Sequence, residues 1–147
     1  MVRVENRVMK TNELSIERRT LGEITILDCA GRIVVRRETD LLFDAVAFAI
    51  EHSRSVLLNL AGVTAIDSGG LGTLVLLKQM AKTFSCDLRL CVATGRVREM
   101  ITLTHLNKTI PLHPTEDDAL LSYIGEIGKA ATRPQRFFTA KLRYSAA

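Results

Sequence analysis

The sequence has no tryptophan, only three prolines, and no apolar run of the length that crosses a membrane. A spanning helix needs about 18 or more consecutive apolar residues, and a signal peptide needs an apolar core that the opening MVRVENRVMK does not contain. The remaining composition, 47% hydrophobic and 24% charged, is ordinary for a globular protein. A chain of 147 residues therefore predicts one domain with one core, and we expect it in the cytoplasm.

The chain also lacks the cysteine and histidine spacings that bind metals or form redox pairs. Cys29, Cys86 and Cys91 are an odd number, lie in apolar surroundings and include no C-x-x-C pair. They are predicted to be buried, reduced thiols. None of the three histidines stands in an H-E-x-x-H motif, so we expect no metal site and no cofactor.

Positive charge is concentrated at the C-terminal end. The formal net charge is +4, but residues 127–147 hold five basic residues and no acidic one, so residues 1–126 sum to −1. A nucleic-acid-binding domain needs a basic face on the fold itself, and we therefore expect no direct binding of nucleic acid. Residues 128–147 are predicted to be a flexible basic tail, or a segment that docks through apolar residues such as Phe137 and Phe138.

Hydrophobic periodicity predicts an α/β domain over residues 12–127. Alternation around Leu14 and the β-branched run at residues 23–35 predict a hairpin, and the apolar run SVLLNLA (55–61) predicts a central strand. Further strands are predicted at 87–93 and 109–112. Helices are predicted at 39–52 with Thr39 or Asp40 as cap, after residue 68, around 97–104, and from Thr115 to about Ile127. The order β-β-α-β-α-β-α-β-α predicts a mixed sheet of about four to five strands with helices packed on it.

A glycine-rich turn, VTAIDSGGLGTL (63–74), lies between the central strand and the next helix. Gly69, Gly70 and Gly72 each disfavour a helix by up to about 1 kcal/mol relative to alanine. The turn is not a P-loop, because the nearest lysine is Lys78, and it lacks the small residue at position 75 that a dinucleotide fingerprint needs. It also lacks the G-x-S-x-G motif of many serine hydrolases.

Two interpretations remain for Asp67 and Ser68 at the start of this helix. Aspartate and serine are favoured N-caps, because their side-chain oxygens accept hydrogen bonds from the first helical N–H groups. An exposed serine at the carboxyl end of a central strand also lies where ligands and partners of open α/β sheets act. A phosphate on Ser68 would face the positive end of the helix.

Residues 56–80, VLLNLAGVTAIDSGGLGTLVLLKQM, resemble the signature of STAS domains, in particular the bacterial anti-sigma-factor antagonists. In that signature an apolar strand ending in N-L or D-L leads through a short turn to D-S-[SG]-G-[LI]-G. The resemblance implies a STAS-like fold and a partner switch. The unphosphorylated antagonist binds an anti-sigma factor that is also a serine kinase and releases the sigma factor, and phosphorylation at Ser68 blocks that binding.

The resemblance also implies a partner-binding surface around the phosphoacceptor, which comprises Asp67, Gly69, Gly70, Gly72, Arg32 and Arg36. The glycines would let the kinase approach the backbone, and the arginines would favour an acidic partner. No catalytic residue is implied, so we expect no enzyme, and a homodimer is left open. The alternative is a STAS subunit of another assembly, such as a stress-sensing complex or a lipid-transport ATPase, without a phospho-switch.

Overall fold

The structure is a computed structural model that describes residues 2–11, 13–34 and 36–131, with side chains described for residues 8–11, 13–34 and 36–124. Its strands are β1 (Val2–Lys10), β2 (Leu14–Leu21), β3 (Ile24–Ile33), β4 (Ser55–Ile66), β5 (Asp87–Cys91) and β6 (Leu112–His113). Its helices are α1 (Arg37–His52), α2 (Ser68–Thr83), α3 (Gly95–Leu103) and α4 (Glu116–Ala131), with a short 3₁₀ turn at Leu106–Lys108.

The six strands form one mixed sheet in the order β1-β2-β3-β4-β5-β6. The pairs β1/β2 and β2/β3 are antiparallel, as expected for strands joined by short turns, and the pairs from β3 to β6 are parallel, joined by α1, α2 and α3. The predicted α/β class and the predicted element order from residue 14 onward are confirmed. The central position predicted for residues 55–61 is also confirmed, because β4 lies between β3 and β5.

The strand β1 was not expected from the sequence. Its pairing with β2 shifts between Val4 and Arg7, so the strand contains a bulge. A bulge changes which residues face each side of the sheet, and it therefore breaks the alternation that predicts a strand. The sheet thus has six strands, whereas about four to five are predicted from the sequence.

The sheet is covered on both faces by separate groups of apolar side chains. One face packs against α1, α2 and α3 through the larger cluster, and the other packs against α4 through a smaller cluster, Ile24, Ile26, Leu57, Cys91, Ala119 and Tyr123. In β4, Leu57 belongs to the smaller cluster and its neighbour Leu58 to the larger one, as alternation along a strand requires. Both side chains are fully buried, which explains why apolar residues occupy successive positions of this strand.

Several helix and strand ends differ from the prediction. The helix α1 begins at Arg37, so the prediction of Thr39 or Asp40 as its cap is wrong; the Thr39 hydroxyl instead donates to the carbonyl of Arg36 (2.9 Å). The last strand is shifted from residues 109–112 to Leu112–His113, because the amides of Thr109 and Ile110 continue the preceding 3₁₀ turn by donating to the Leu106 carbonyl (2.9 Å each). The predicted Thr115 cap is confirmed, since its hydroxyl accepts from the Asp118 amide (3.0 Å).

The helix α4 continues to Ala131 rather than ending near Ile127. It is held at its start by an ion pair: Arg19 on β2 donates to both carboxylate oxygens of Asp28 on β3 (2.7 and 3.0 Å) and also to Glu116. Asn59 of β4 donates to the same glutamate (3.4 Å). The first four residues of the tail predicted at 128–147 thus belong to α4, and its remainder, from residue 132, lies outside the described residues. No described helix is long and apolar enough to cross a membrane.

The three cysteines are buried free thiols, as predicted. Burial raises the pKa of Cys29, Cys86 and Cys91 from 9.0 to about 12. Each thiol therefore keeps its proton in the folded protein at a pH where the unfolded chain has lost it. The folded state binds more protons, so its stability is fully present below pH 9.0 and declines as the pH rises toward about 12.

We predict that Cys86→Ala makes this alkaline decline shallower. Removal of one such thiol reduces the slope of unfolding free energy against pH by at most about 1.4 kcal/mol per pH unit. Cys86 is the suitable choice because Cys29 and Cys91 interact with each other. Urea unfolding at several pH values between about 8.5 and 10 measures the slope for both proteins, and identical slopes would contradict the assigned pKa shift.

Candidate functional site

The candidate site lies where β3 and β4 end beside each other. Arg32 pairs with Ala65 and Ile33 with Ile66, and the amide of Asp67 then donates to the Ile33 carbonyl (3.2 Å). This bond places the start of α2 directly against the end of β3. The arginine and the Asp-Ser pair, far apart in sequence, therefore lie at the same edge of the sheet.

Asp67 is the N-cap of α2. Its carboxylate accepts from the Gly70 amide (2.9 Å), and its carbonyl accepts from the Leu71 amide (3.0 Å). The capping role that the sequence left open between Asp67 and Ser68 therefore falls to the aspartate. Ser68 is the first residue of the helix and is exposed.

The three glycines of the turn have different surroundings. A Cβ on Gly70 would lie 2.7 Å from both the Ile33 carbonyl oxygen and the Ile66 side chain, whereas one on Gly72 would meet nothing within 4 Å. Gly70 is buried, Gly69 is half-buried and Gly72 is exposed. Internal packing thus requires glycine at position 70, while the role of all three glycines in partner approach stays a prediction.

The arginines lie on the β3 side of this edge. Arg32 is the last residue but one of β3, and Arg36 and Arg37 stand at the start of α1; all three are exposed. Arg36 has a φ of 79°, which turns the chain sharply before the helix begins. Three exposed arginines therefore lie on the segments that end β3 and begin α1.

The residues that connect β1 and β2 contact both the end of β3 and the start of α1. The Thr11 hydroxyl donates to the buried carboxylate of Glu38 (2.7 Å), and the Arg32 amide donates to the Glu13 carbonyl (2.8 Å). Gly31 approaches the same carbonyl with a φ of 115°, and a Cβ there would overlap its oxygen. These contacts connect the end of β3 and the first turn of α1 to Thr11 and Glu13.

Sequence reasoning missed part of the exposed surface of α2. Helical spacing from Leu71 and Leu74 predicts that Val75 faces inward and Lys78 faces outward, but Val75 is 38% exposed and Lys78 is half-buried. Leu76, which the inner stripe does not include, is 56% exposed. Leu76 lies two turns along the helix from Ser68. The sequence indicates this exposed residue only by placing a leucine on the side of the helix that is otherwise polar.

Other chemistry has little support at this site. The His52 ring donates through Nδ1 to the Phe48 carbonyl (2.8 Å) and stacks on the Phe48 ring. His113, on β6, lies within hydrogen-bond distance of Arg89 and Ser122. Neither contact involves Ser68. Within residues 2–11, 13–34 and 36–131, no three His, Cys, Asp or Glu side chains come together as metal ligands would.

The mixed sheet, the three crossover helices on one face and the capped Asp-Ser-Gly-Gly helix start define a small α/β domain with an exposed serine at its parallel-strand edge. The family model of the STAS domain matches residues 15–119, from β2 to the first turn of α4. The chain therefore belongs to the STAS domain family. The strand β1 lies outside the matched residues.

Solved structures with the same fold include anti-sigma factor antagonists. One from Mycobacterium paratuberculosis has a TM-score of 0.66 and 23% identity and covers 78% of this chain and 97% of its own. The unphosphorylated form of the anti-sigma factor antagonist SpoIIAA, from Bacillus, has a TM-score of 0.63 and 15% identity, with 75% and 96% covered. At such identities the likeness establishes the fold alone.

The fold also occurs in a sulfate transporter family protein from Wolinella succinogenes, with a TM-score of 0.57, 14% identity, and 68% and 84% of the two chains covered. No curated protein matches the chain in sequence at a significant level. The chain is thus a STAS domain with close structural similarity to anti-sigma factor antagonists.

We predict opposite effects for alanine at two glycines of α2. Gly70→Ala should lower the free energy of unfolding by about 1–3 kcal/mol, because the new Cβ meets a backbone carbonyl that cannot move freely. Gly72→Ala should raise it by up to about 1 kcal/mol, because the position is open and alanine favours a helix. Chemical unfolding of both variants tests this, and equal effects would contradict the packing described for Gly70.

Proposed function

We propose that the protein is an anti-sigma-factor antagonist that acts by partner switching, with Ser68 as the phosphorylated residue. The observation that supports this most strongly is the geometry of Ser68, which is exposed at the first position of α2 beside the capping Asp67. A kinase can reach its hydroxyl without unfolding the domain. The likeness to SpoIIAA, which has an unphosphorylated and a phosphorylated form, is consistent with the proposal.

The physical basis of the switch is charge at a helix start. A phosphate adds about −1.5 to −2 charge, which the positive end of α2 stabilises in the free protein. In a packed interface the same phosphate lies next to the Asp67 carboxylate and must lose its water, which is unfavourable. Phosphorylation therefore weakens partner binding more than it weakens the fold.

The proposed partner is an anti-sigma factor with serine kinase activity, bound around the Ser68 edge. Asp67, Gly69 and Gly72 would form the contact next to the phosphoacceptor. The exposed arginines at the end of β3 and the start of α1 would face acidic residues of that partner. The protein would act in the cytoplasm, without catalysis of its own and without direct contact to nucleic acid.

We predict that Ser68→Ala abolishes phosphorylation and leaves partner binding intact or stronger. The substitution removes the acceptor hydroxyl of an exposed residue, so the fold should be unchanged within about 0.5 kcal/mol. Each candidate anti-sigma kinase from the source organism is incubated with ATP and the protein, and intact mass is measured. Ser85→Ala, at an exposed hydroxyl beyond the opposite end of α2, is the matched control.

If the Ser68→Ala variant incorporated as much phosphate as the wild type, the phosphoacceptor would be another residue. Absence of phosphate on the wild type with every such kinase would instead favour a STAS subunit without a phospho-switch, as in another assembly. Binding of the two variants to the same kinases, measured in parallel, separates loss of phosphorylation from loss of association.

We predict that Arg32→Glu weakens association with the kinase, mainly through a slower association rate with a reduced dependence on salt. A charge at the rim of an interface acts chiefly by steering the encounter. Lys108→Glu is the control, because Lys108 is exposed in the 3₁₀ turn before β6 and therefore lies toward the opposite end of the parallel strands. Association rates are measured at low and high salt, and equal behaviour of the two variants would show that the arginines beside β3 do not face the partner.

A further inference from the structure

The outer side of α4 presents large apolar side chains to solvent. Leu121 is 64% exposed and Ile124 is 59% exposed, and residues three apart in a helix lie on the same side. Ala119 and Tyr123, on the opposite side, are buried against the sheet. The exposed carboxylate of Asp117 precedes Leu121 by one turn, and we call Asp117, Leu121 and Ile124 the outer face of α4.

Residues 132–147, TRPQRFFTAKLRYSAA, follow directly on α4 and have a complementary sequence pattern. Between positions 138 and 144, apolar residues stand at every second position and the residues between them are threonine, lysine and arginine. In an extended segment such a pattern gives one apolar side and one basic side. The segment holds basic residues and no acidic one, whereas the outer face of α4 begins with the exposed carboxylate of Asp117.

We propose that the outer face of α4 is the docking surface for residues 132–147 of the same chain. From Ala131 back to Leu121 the helix rises about 15 Å, at about 1.5 Å per residue. The seven residues from Ala131 to Phe138 span at most about 23–25 Å when extended, so Phe138 can reach Leu121. The covalent connection gives the segment an effective concentration in about the millimolar range, which favours it over a separate molecule.

Charge also favours this occupant over a second copy of the same helix face. Two outer faces packed on each other would enclose two Asp117 carboxylates in one interface, to which the outer face itself contributes no basic residue. The basic segment instead places opposite charges together. The proposal is independent of Ser68 and does not rest on the proposed function.

The test is a disulfide between two introduced cysteines in the full-length chain, Leu121→Cys with Phe138→Cys. The control is Leu103→Cys with Phe138→Cys, because Leu103 is equally apolar and 69% exposed but lies on α3. The native thiols are buried, which leaves the introduced cysteines as the reactive pair. Mild oxidation is followed by non-reducing electrophoresis and intact mass.

If the proposal is right, the two introduced thiols of one molecule form a disulfide, and the protein stays monomeric. The rate of this reaction does not change with protein concentration, and the control pair reacts markedly more slowly. A disulfide-linked dimer as the main product would assign the outer face to a second copy and overturn the proposal. Equal rates for the two pairs would also overturn it, since they would mean that the segment has no preference for α4.

A second measurement avoids oxidation. Leu121→Glu in the full-length chain should increase the initial rate of tryptic cleavage after Lys141 by about tenfold, as expected when about 1.4 kcal/mol of docking free energy is lost. Leu103→Glu should leave this rate unchanged. Both residues are exposed, so both variants should retain the helical content of the wild type, measured by circular dichroism. No increase with Leu121→Glu would contradict the docking surface.

Discussion

The close contact between Gly70 and the ends of β3 and β4 is the constraint on which the site depends. With no side chain at this position, the first turn of α2 packs directly on the Ile33 carbonyl and the Ile66 side chain. The hydrogen bond from the Asp67 amide to the same carbonyl fixes the direction in which the helix leaves the sheet. A bulkier residue would push the helix start outward, and Ser68 with it.

The cap and the helix dipole bear on Ser68 in opposite ways. The Asp67 carboxylate satisfies the Gly70 amide and so stabilises the helix start, but it also holds a negative charge next to the serine. The amides of Ser68 and Gly69, which precede the first helical hydrogen bond, attract an anion. Under the proposed function this balance lets a phosphate be tolerated on the free domain and still be unfavourable in an interface, so the switch needs no change of fold.

Sequence reasoning predicted what depends on local pattern and missed what depends on neighbours distant in the chain. Periodicity predicted the helices and the buried β4, because one apolar face or run determines them. The bulge in β1 broke its alternation, and the tight turn at Arg36 shifted the start of α1. Nothing in the sequence distinguishes Gly70 from Gly72, because the difference lies in Ile33 and Ile66, which approach only one of them.

The two proposals concern surfaces on opposite faces of the sheet. The helix α4 starts at Glu116, near Asn59 in the middle of β4, and passes Tyr123, whose hydroxyl donates to the carbonyl of Val56 (2.6 Å) near the beginning of that strand. It therefore runs antiparallel to β4, away from the edge where Ser68 lies. A segment docked on the outer face of α4 would leave the phosphoacceptor accessible, because the sheet separates α4 from α2. The docked extension and the partner bound at Ser68 would therefore not compete for one surface.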